Sequence, residues 1–93
     1  MEENVNAHLI ISGRVQGVNF RAETRRAAAR HAVTGWVRNR RDGTVEAVVE
    51  GSRSNAVALL NWCKQGPPHS RVDHVDVTWQ AYQGRFDSFT VRY

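Results

Sequence analysis

The stretch Gly13-Arg14-Val15-Gln16-Gly17-Val18-Asn19-Phe20-Arg21 sets two glycines and an asparagine ahead of a fixed cation. Glycine, and to a lesser degree asparagine, accepts the left-handed backbone that a tight bend demands. A bent loop running into a helix turns main-chain N–H groups inward, where they carry partial positive charge. The Arg21 fork adds two parallel donors whose spacing suits a phosphoryl group. The chemistry to expect is therefore capture of an oxyanion. A second segment, Gly35-Trp36-Val37-Arg38-Asn39 followed by Asp42-Gly43, puts a neutral carboxamide, Asn39, just before a turn. The loop holds no cysteine, no carboxylate pair and no histidine beside Arg21. Covalent and metal-assisted routes are thus not expected, and neither is any cofactor.

These two segments need elements to bring them together. His8 to Ser12 reads as a strand, aliphatic and closed by Gly13. Ala22 to Ala32 is rich in Ala and Arg without Gly or Pro, which favours a helix whose buried face would hold Phe20, Thr24, Ala27, Ala28 and His31. Gly35 to Arg40 and Thr44 to Glu50 flank the turn signal Asp42-Gly43 and form a hairpin. In its second arm Val45, Ala47 and Val49 alternate with Glu46, Val48 and Glu50, giving a mostly polar second face. Asn55 to Lys64 places Ala56, Leu59, Leu60 and Cys63 at helical spacing, with Ser54 as a candidate N-cap and Gly66-Pro67-Pro68 ending it. Val72 to Trp79 alternates as a strand, and Ser88 to Arg92 supplies a short last one.

The order β-α-β-β-α-β points to an α+β, ferredoxin-like sandwich: an antiparallel sheet with two helices on one face and a short extra C-terminal strand. The first two strands then run the same way with the third between them. The loop after strand one and the end of strand two emerge at the same end of the sheet, about 10 Å apart at roughly 4.8 Å per strand spacing. That is why Arg21 and Asn39 are expected to share one site.

Length allows a single domain, 1–93, with residues 1–6 expected as a flexible polar tail. Twelve arginines and one lysine against nine acids give a net charge of +4. The arginines are scattered, and only Arg38, Arg40 and Arg41 cluster, a pattern of a solvated face more than of a nucleic-acid footprint. Cys63 is the only cysteine, so no disulfide within the chain and no cysteine-based zinc site can form, and a reducing cytoplasm fits. The acidic, polar start lacks the layout of a secretory signal, and no run reaches membrane-spanning length. His8, His31, His69 and His74 show no ligand spacing, and Trp36, Trp62 and Trp79 are expected in or at the edge of the core.

The loop GRVQGVNFR with Thr24 and Ala28 after it, then GWVRN, DGTVEAVVEG, WCKQGPP and the ending FDSFTVRY, together resemble the acylphosphatase family over nearly the whole chain. The resemblance implies hydrolysis of acyl phosphates to a carboxylate and inorganic phosphate, with Arg21 and Asn39 as the catalytic pair and residues Val15, Gln16, Gly17, Val18, Asn19, Phe20 and Arg21 holding phosphate. Such a mixed anhydride releases a carboxylate that needs no proton. What remains is to hold the dianion, stabilise charge on its equatorial oxygens and place a water in line. The backbone N–H groups of Val15 to Phe20 and a bidentate Arg21 meet the first two needs, and the Asn39 carboxamide can orient water without repelling phosphate.

Asn19 stands where relatives often carry glycine, and His31 and Ala32 where they often carry leucine and glycine. The chain ends in tyrosine, as some relatives do, and the terminal carboxylate of Tyr93 is a candidate to orient Arg21. The expected partners are a small-molecule acyl phosphate and inorganic phosphate as product and inhibitor, with no nucleic acid, no membrane and a monomeric state. Two rivals share the architecture. An RNA-recognition module needs exposed aromatics on its central strands, and Thr44 to Glu50 offers none. A carbamoyl-phosphate-binding domain of a large maturation protein would be followed by further domains, so a chain of 93 residues favours a freestanding enzyme.

Overall fold

The computed structural model describes residues 2–93 and contains β1 (Asn4–Arg14), α1 (Phe20–Arg30), β2 (Thr34–Asn39), β3 (Val45–Ser52), α2 (Arg53–Gln65), β4 (Arg71–Gln80) and β5 (Phe89–Arg92). The five strands form one sheet in the order β4-β1-β3-β2-β5. β1 and β2 each pair antiparallel with β3 between them, as expected. β5 departs from the antiparallel expectation: it lies parallel to β2, with Val37 opposite Val91, so the sheet is mixed.

Alternation along the strands decides which face the helices cover. Leu9, Ile11, Val37, Val45, Ala47 and Val49 turn inward and are all but inaccessible, meeting Phe20, Ala27 and Ala28 of α1 and Ala56, Leu59 and Cys63 of α2. Burial of these side chains at about 25 cal/mol per Å² is the main force holding the helices to the sheet. Phe20 packs on Trp62 with ring centroids 5.8 Å apart, locking the opening residue of α1 against α2. Burial pushes the Cys63 thiol up to about 12, so this cysteine acts as a small apolar filler and not as a thiolate.

On the opposite face, Glu46 of β3 sits between neighbours on both sides. It accepts from Arg38 Nε of β2 at 2.6 Å and lies 2.6 Å from His8 Nε2 of β1. Glu50 is buried. The segment after β4 must cross from one sheet edge to the other to reach β5, and the Glu50 carboxylate fastens it by accepting from the N–H groups of Gln83 and Gly84 at 2.7 and 3.2 Å, and from Asn6 Nδ2 at 3.0 Å.

Several local expectations are corrected by this packing. Residues 4–6 are no tail: β1 begins at Asn4, Val5 and Asn6 are buried, and Glu2 and Glu3 hydrogen-bond Ser54 and Arg53 at the start of α2. Only Met1, part of the same expected tail, lies outside the described residues. The N-cap of α2 is Ser52, whose hydroxyl accepts from Asn55 N–H at 3.3 Å, because the helix starts two residues early. His31 is half-exposed as the C-cap of α1. Trp79, near the end of the edge strand β4, is 43% exposed and is covered in part by Arg53, 5.4 Å from its ring centroid.

Candidate active site

β1 ends in a bulge between Ser12 and Gly13, where Gly13 adopts φ 129° and a Cβ would fall 2.1 Å from the Arg71 carbonyl oxygen. The bulge bends the strand and launches the loop from Val15 to Asn19. Gly17 (φ 75°) and Asn19 (φ 64°) both sit in the left-handed region, so the asparagine takes the conformation for which glycine is usual. Asn19 is the N-cap of α1, yet its side chain makes no capping bond. The helix opens at Phe20, which makes Arg21 part of its first turn. The first intrahelical bond runs from Glu23 N–H to the Asn19 carbonyl. Among the described residues, none of the N–H groups from Gln16 to Ala22 donates to a protein acceptor. They are main-chain donors left without a protein partner at the positive end of a helix dipole.

Arg21 is held from the C-terminus of the chain. Its Nη1 donates to the Arg92 carbonyl oxygen at 3.2 Å, and its guanidinium carbon lies 4.8 Å from the centroid of the Tyr93 ring. The orienting groups are thus a carbonyl and an aromatic face, where the sequence suggested the Tyr93 carboxylate. No ion pair joins Arg21 to that carboxylate among the described residues. The parallel placement of β5 beside β2 is what brings Arg92 and Tyr93 to this end of the sheet.

Asn39 ends β2, opposite Val45. The hairpin beyond it is closed by Arg40 N–H donating to the Thr44 carbonyl at 2.9 Å. Asp42 Oδ1 accepts from both the N–H and the hydroxyl of Thr44 at 3.0 and 2.6 Å. Those Thr44 bonds, aided by Arg40, hold the Asp42 carboxyl below its ordinary range. Asn39 Oδ1 is enclosed and has no hydrogen-bond partner among the described residues, so the carboxamide is not committed to the fold.

These groups surround one cleft of about 580 Å³, lined by Val15, Gly17, Asn19, Phe20, Arg21 and Asn39 among others. Gln16 and Val18 are placed differently. Val18 packs on the core, while the Gln16 side chain leaves the cleft and donates to the carbonyls of Arg40 and Thr44 at 2.7 and 2.9 Å. Gln16 therefore ties the loop to the hairpin that carries Asn39, a link that composition and periodicity do not reveal because the partners are main-chain atoms 24 and 28 residues away. Sequence reasoning also missed Arg25, Arg26 and Val91 in the cleft wall. Arg25 follows Arg21 by four residues, the spacing that puts two side chains on one helix face, and that signal was available. No group of His, Cys, Asp and Glu side chains suited to holding a metal ion occurs among the described residues. None of their helices is long and apolar enough to cross a membrane.

Comparison with known proteins agrees with the geometry. The family model described as Acylphosphatase matches residues 7–91. The acylphosphatase of Pelotomaculum thermopropionicum is 53% identical over 87 residues, 94% of this chain and 95% of that one. The crystal structure of acylphosphatase from Bacillus subtilis superposes with a TM-score of 0.92 at 34% identity, covering 96% of this chain and 99% of that one. The structure of an acylphosphatase from Coxiella burnetii gives 0.90 at 36%, covering 96% and 93%. A sheet with β1 and β2 flanking β3, an open loop before α1 and an Arg21–Asn39 cleft are thus joined to near full-length similarity: this chain belongs to the acylphosphatase family of enzymes.

Proposed function

We propose that this enzyme hydrolyses acyl phosphates by direct in-line attack of water on phosphorus. The loop N–H groups and the Arg21 fork hold the phosphoryl oxygens, and the Asn39 carboxamide positions the water. The water oxygen forms a bond to phosphorus as the bond between phosphorus and the bridging oxygen breaks. The electron pair leaves with the carboxylate, and both water protons stay on the phosphate product as H₂PO₄⁻. Since the leaving carboxylate is a weak base, no general acid is needed at the bridging oxygen. The work falls to preorganised donors facing the charge that develops on the equatorial oxygens.

The observation that carries this reading is the meeting of Arg21, the uncommitted Asn39 carboxamide and the unpaired N–H groups of the loop around one cleft. The fixed Arg21 geometry adds support, since a guanidinium already tethered to the Arg92 carbonyl loses little freedom on binding an anion. All these groups come from a single chain, so a monomer suffices, and inorganic phosphate should compete for the same donors. An RNA-binding reading lacks such support. On the open sheet face, His8, Ile10, Glu46 and Val48 occupy the two central strands, and the aromatic residue nearby, Trp36, lies on β2 clasped between Arg38 and Arg92.

The test is the loss of benzoyl phosphate in the presence of the purified protein and EDTA. Turnover unaffected by the chelator is expected. No turnover would refute the activity, and turnover that appears only on adding a divalent cation would refute the metal-free route.

A further inference from the structure

We infer that the cleft is built for acyl phosphates whose acyl group itself carries an anion, and that Arg25 is the residue that selects them. This rests on the reading that the cleft binds an acyl phosphate at all. The wall contains three arginines, Arg21, Arg25 and Arg26, and not one aspartate or glutamate. Their situations differ. Arg21 is tethered to the Arg92 carbonyl beside the loop donors, where the phosphoryl group would sit. Arg26 is paired through Nη1 with Glu23 Oε1, which offsets its charge. Arg25 is exposed to solvent at the cleft wall, and its side chain forms no hydrogen bond or ion pair among the described residues. It is one cation more than a phosphoryl group held by Arg21 and the loop requires.

The position of that cation fixes where the second anion must be. Residues i and i+4 on a helix face hold their Cβ atoms about 6 Å apart. Arg25 therefore stands one turn along α1 from Arg21, away from the loop. A ligand whose phosphoryl group rests on the loop extends its acyl chain out of the phosphate subsite and along this wall, past the small side chain of Ala22. A carboxylate two or three carbons beyond the carbonyl comes within reach of the Arg25 fork, whereas a short neutral acyl group leaves it in water. The apolar part of the wall, Val91 and the Tyr93 ring, can cover the intervening methylenes.

Succinyl phosphate and butanoyl phosphate have the same four-carbon chain and differ in the charged end, so their kcat/KM ratio isolates that end from the phosphoryl group. For the unmodified enzyme the ratio is expected to favour succinyl phosphate by roughly threefold to fivefold, the scale of a partly exposed ion pair, and to shrink as salt is raised. Arg25→Gln should bring the ratio close to one, and Arg25→Lys, which keeps the charge, should retain most of it. A ratio near one in the unmodified enzyme, or one that Arg25→Gln leaves untouched, overturns the inference while leaving acyl phosphate hydrolysis standing. Hydrolysis of neither compound refutes the underlying activity and the inference with it.

Discussion

Asn19 and Ala32 are the two non-glycine residues bracketing α1 in left-handed backbone, at φ 64° and 54°. Asparagine tolerates that region through its short polar side chain, but for alanine the clash of Cβ with the carbonyl costs about 1–2 kcal/mol. Replacing Ala32 by glycine removes that strain and returns some of it as added freedom of the unfolded chain. Ala32→Gly should thus raise the unfolding free energy by about 0.5–1 kcal/mol in a urea titration, with no effect on the cleft. A neutral or destabilising result would show that the turn after α1 is not strained. At this scale the sequence was informative where a residue type is rare for its conformation. Asn19, Gly17, Arg21 and Asn39 could be singled out from type and spacing alone. Gln16 could be placed in the loop but not its side chain, because what it grips are carbonyl oxygens that every residue possesses.

Secondary structure was legible wherever an apolar period was present. Val45, Ala47 and Val49 marked β3, and Ala56, Leu59, Leu60 and Cys63 marked the buried face of α2. It failed where tertiary contacts extend an element past its own signal. β1 starts at Asn4 because Asn4 and Val5 pair with Ser52 and Gly51, and α2 starts at Arg53 because Ser52 caps it. The parallel course of β5 depended on where the segment from Ala81 onward crosses the sheet, and that is decided by Glu50, a residue whose alternation pointed to the polar face. The sheet's open face carries a pH-sensitive cross-link. Burial of Glu46 raises its carboxyl pKa, but the bonds from His8 and Arg38 outweigh this and leave it below the ordinary 4.5. A carboxylate with a depressed folded value stabilises the protein above about pH 4.5, and that contribution is lost as the pH falls through the folded value. The stability gap between the unmodified protein and Glu46→Gln, read from urea midpoints, should be widest above pH 4.5 and close on acidification. A gap independent of pH would show that the cross-link contributes nothing.

As a whole, the molecule draws one cleft from distant parts of a 93-residue chain: a loop after β1, the first turn of α1, the end of β2 and the residues at and beyond β5. The ferredoxin-like topology makes this possible, since β1 and β2 run the same way on either side of β3 and deliver their C-terminal ends to one edge of the sandwich. That convergence was foreseeable from element order. That the chain end reaches Arg21 was suggested through the Tyr93 carboxylate, but the groups that make the contact, the Arg92 carbonyl and the Tyr93 ring, were not legible because they depend on which strand β5 joins. The proposed roles divide across the cleft: Arg21 and the loop would bind the phosphoryl group, and Asn39 would act on the water. Measuring kcat for benzoyl phosphate together with the inhibition constant for inorganic phosphate in Asn39→Ala separates the two roles most directly. A fall in kcat of about a hundredfold or more is expected, with phosphate inhibition changed by less than about threefold. A folded Asn39→Ala protein that turns over at the parent rate, or one that loses phosphate binding in step with kcat, would contradict this division of roles.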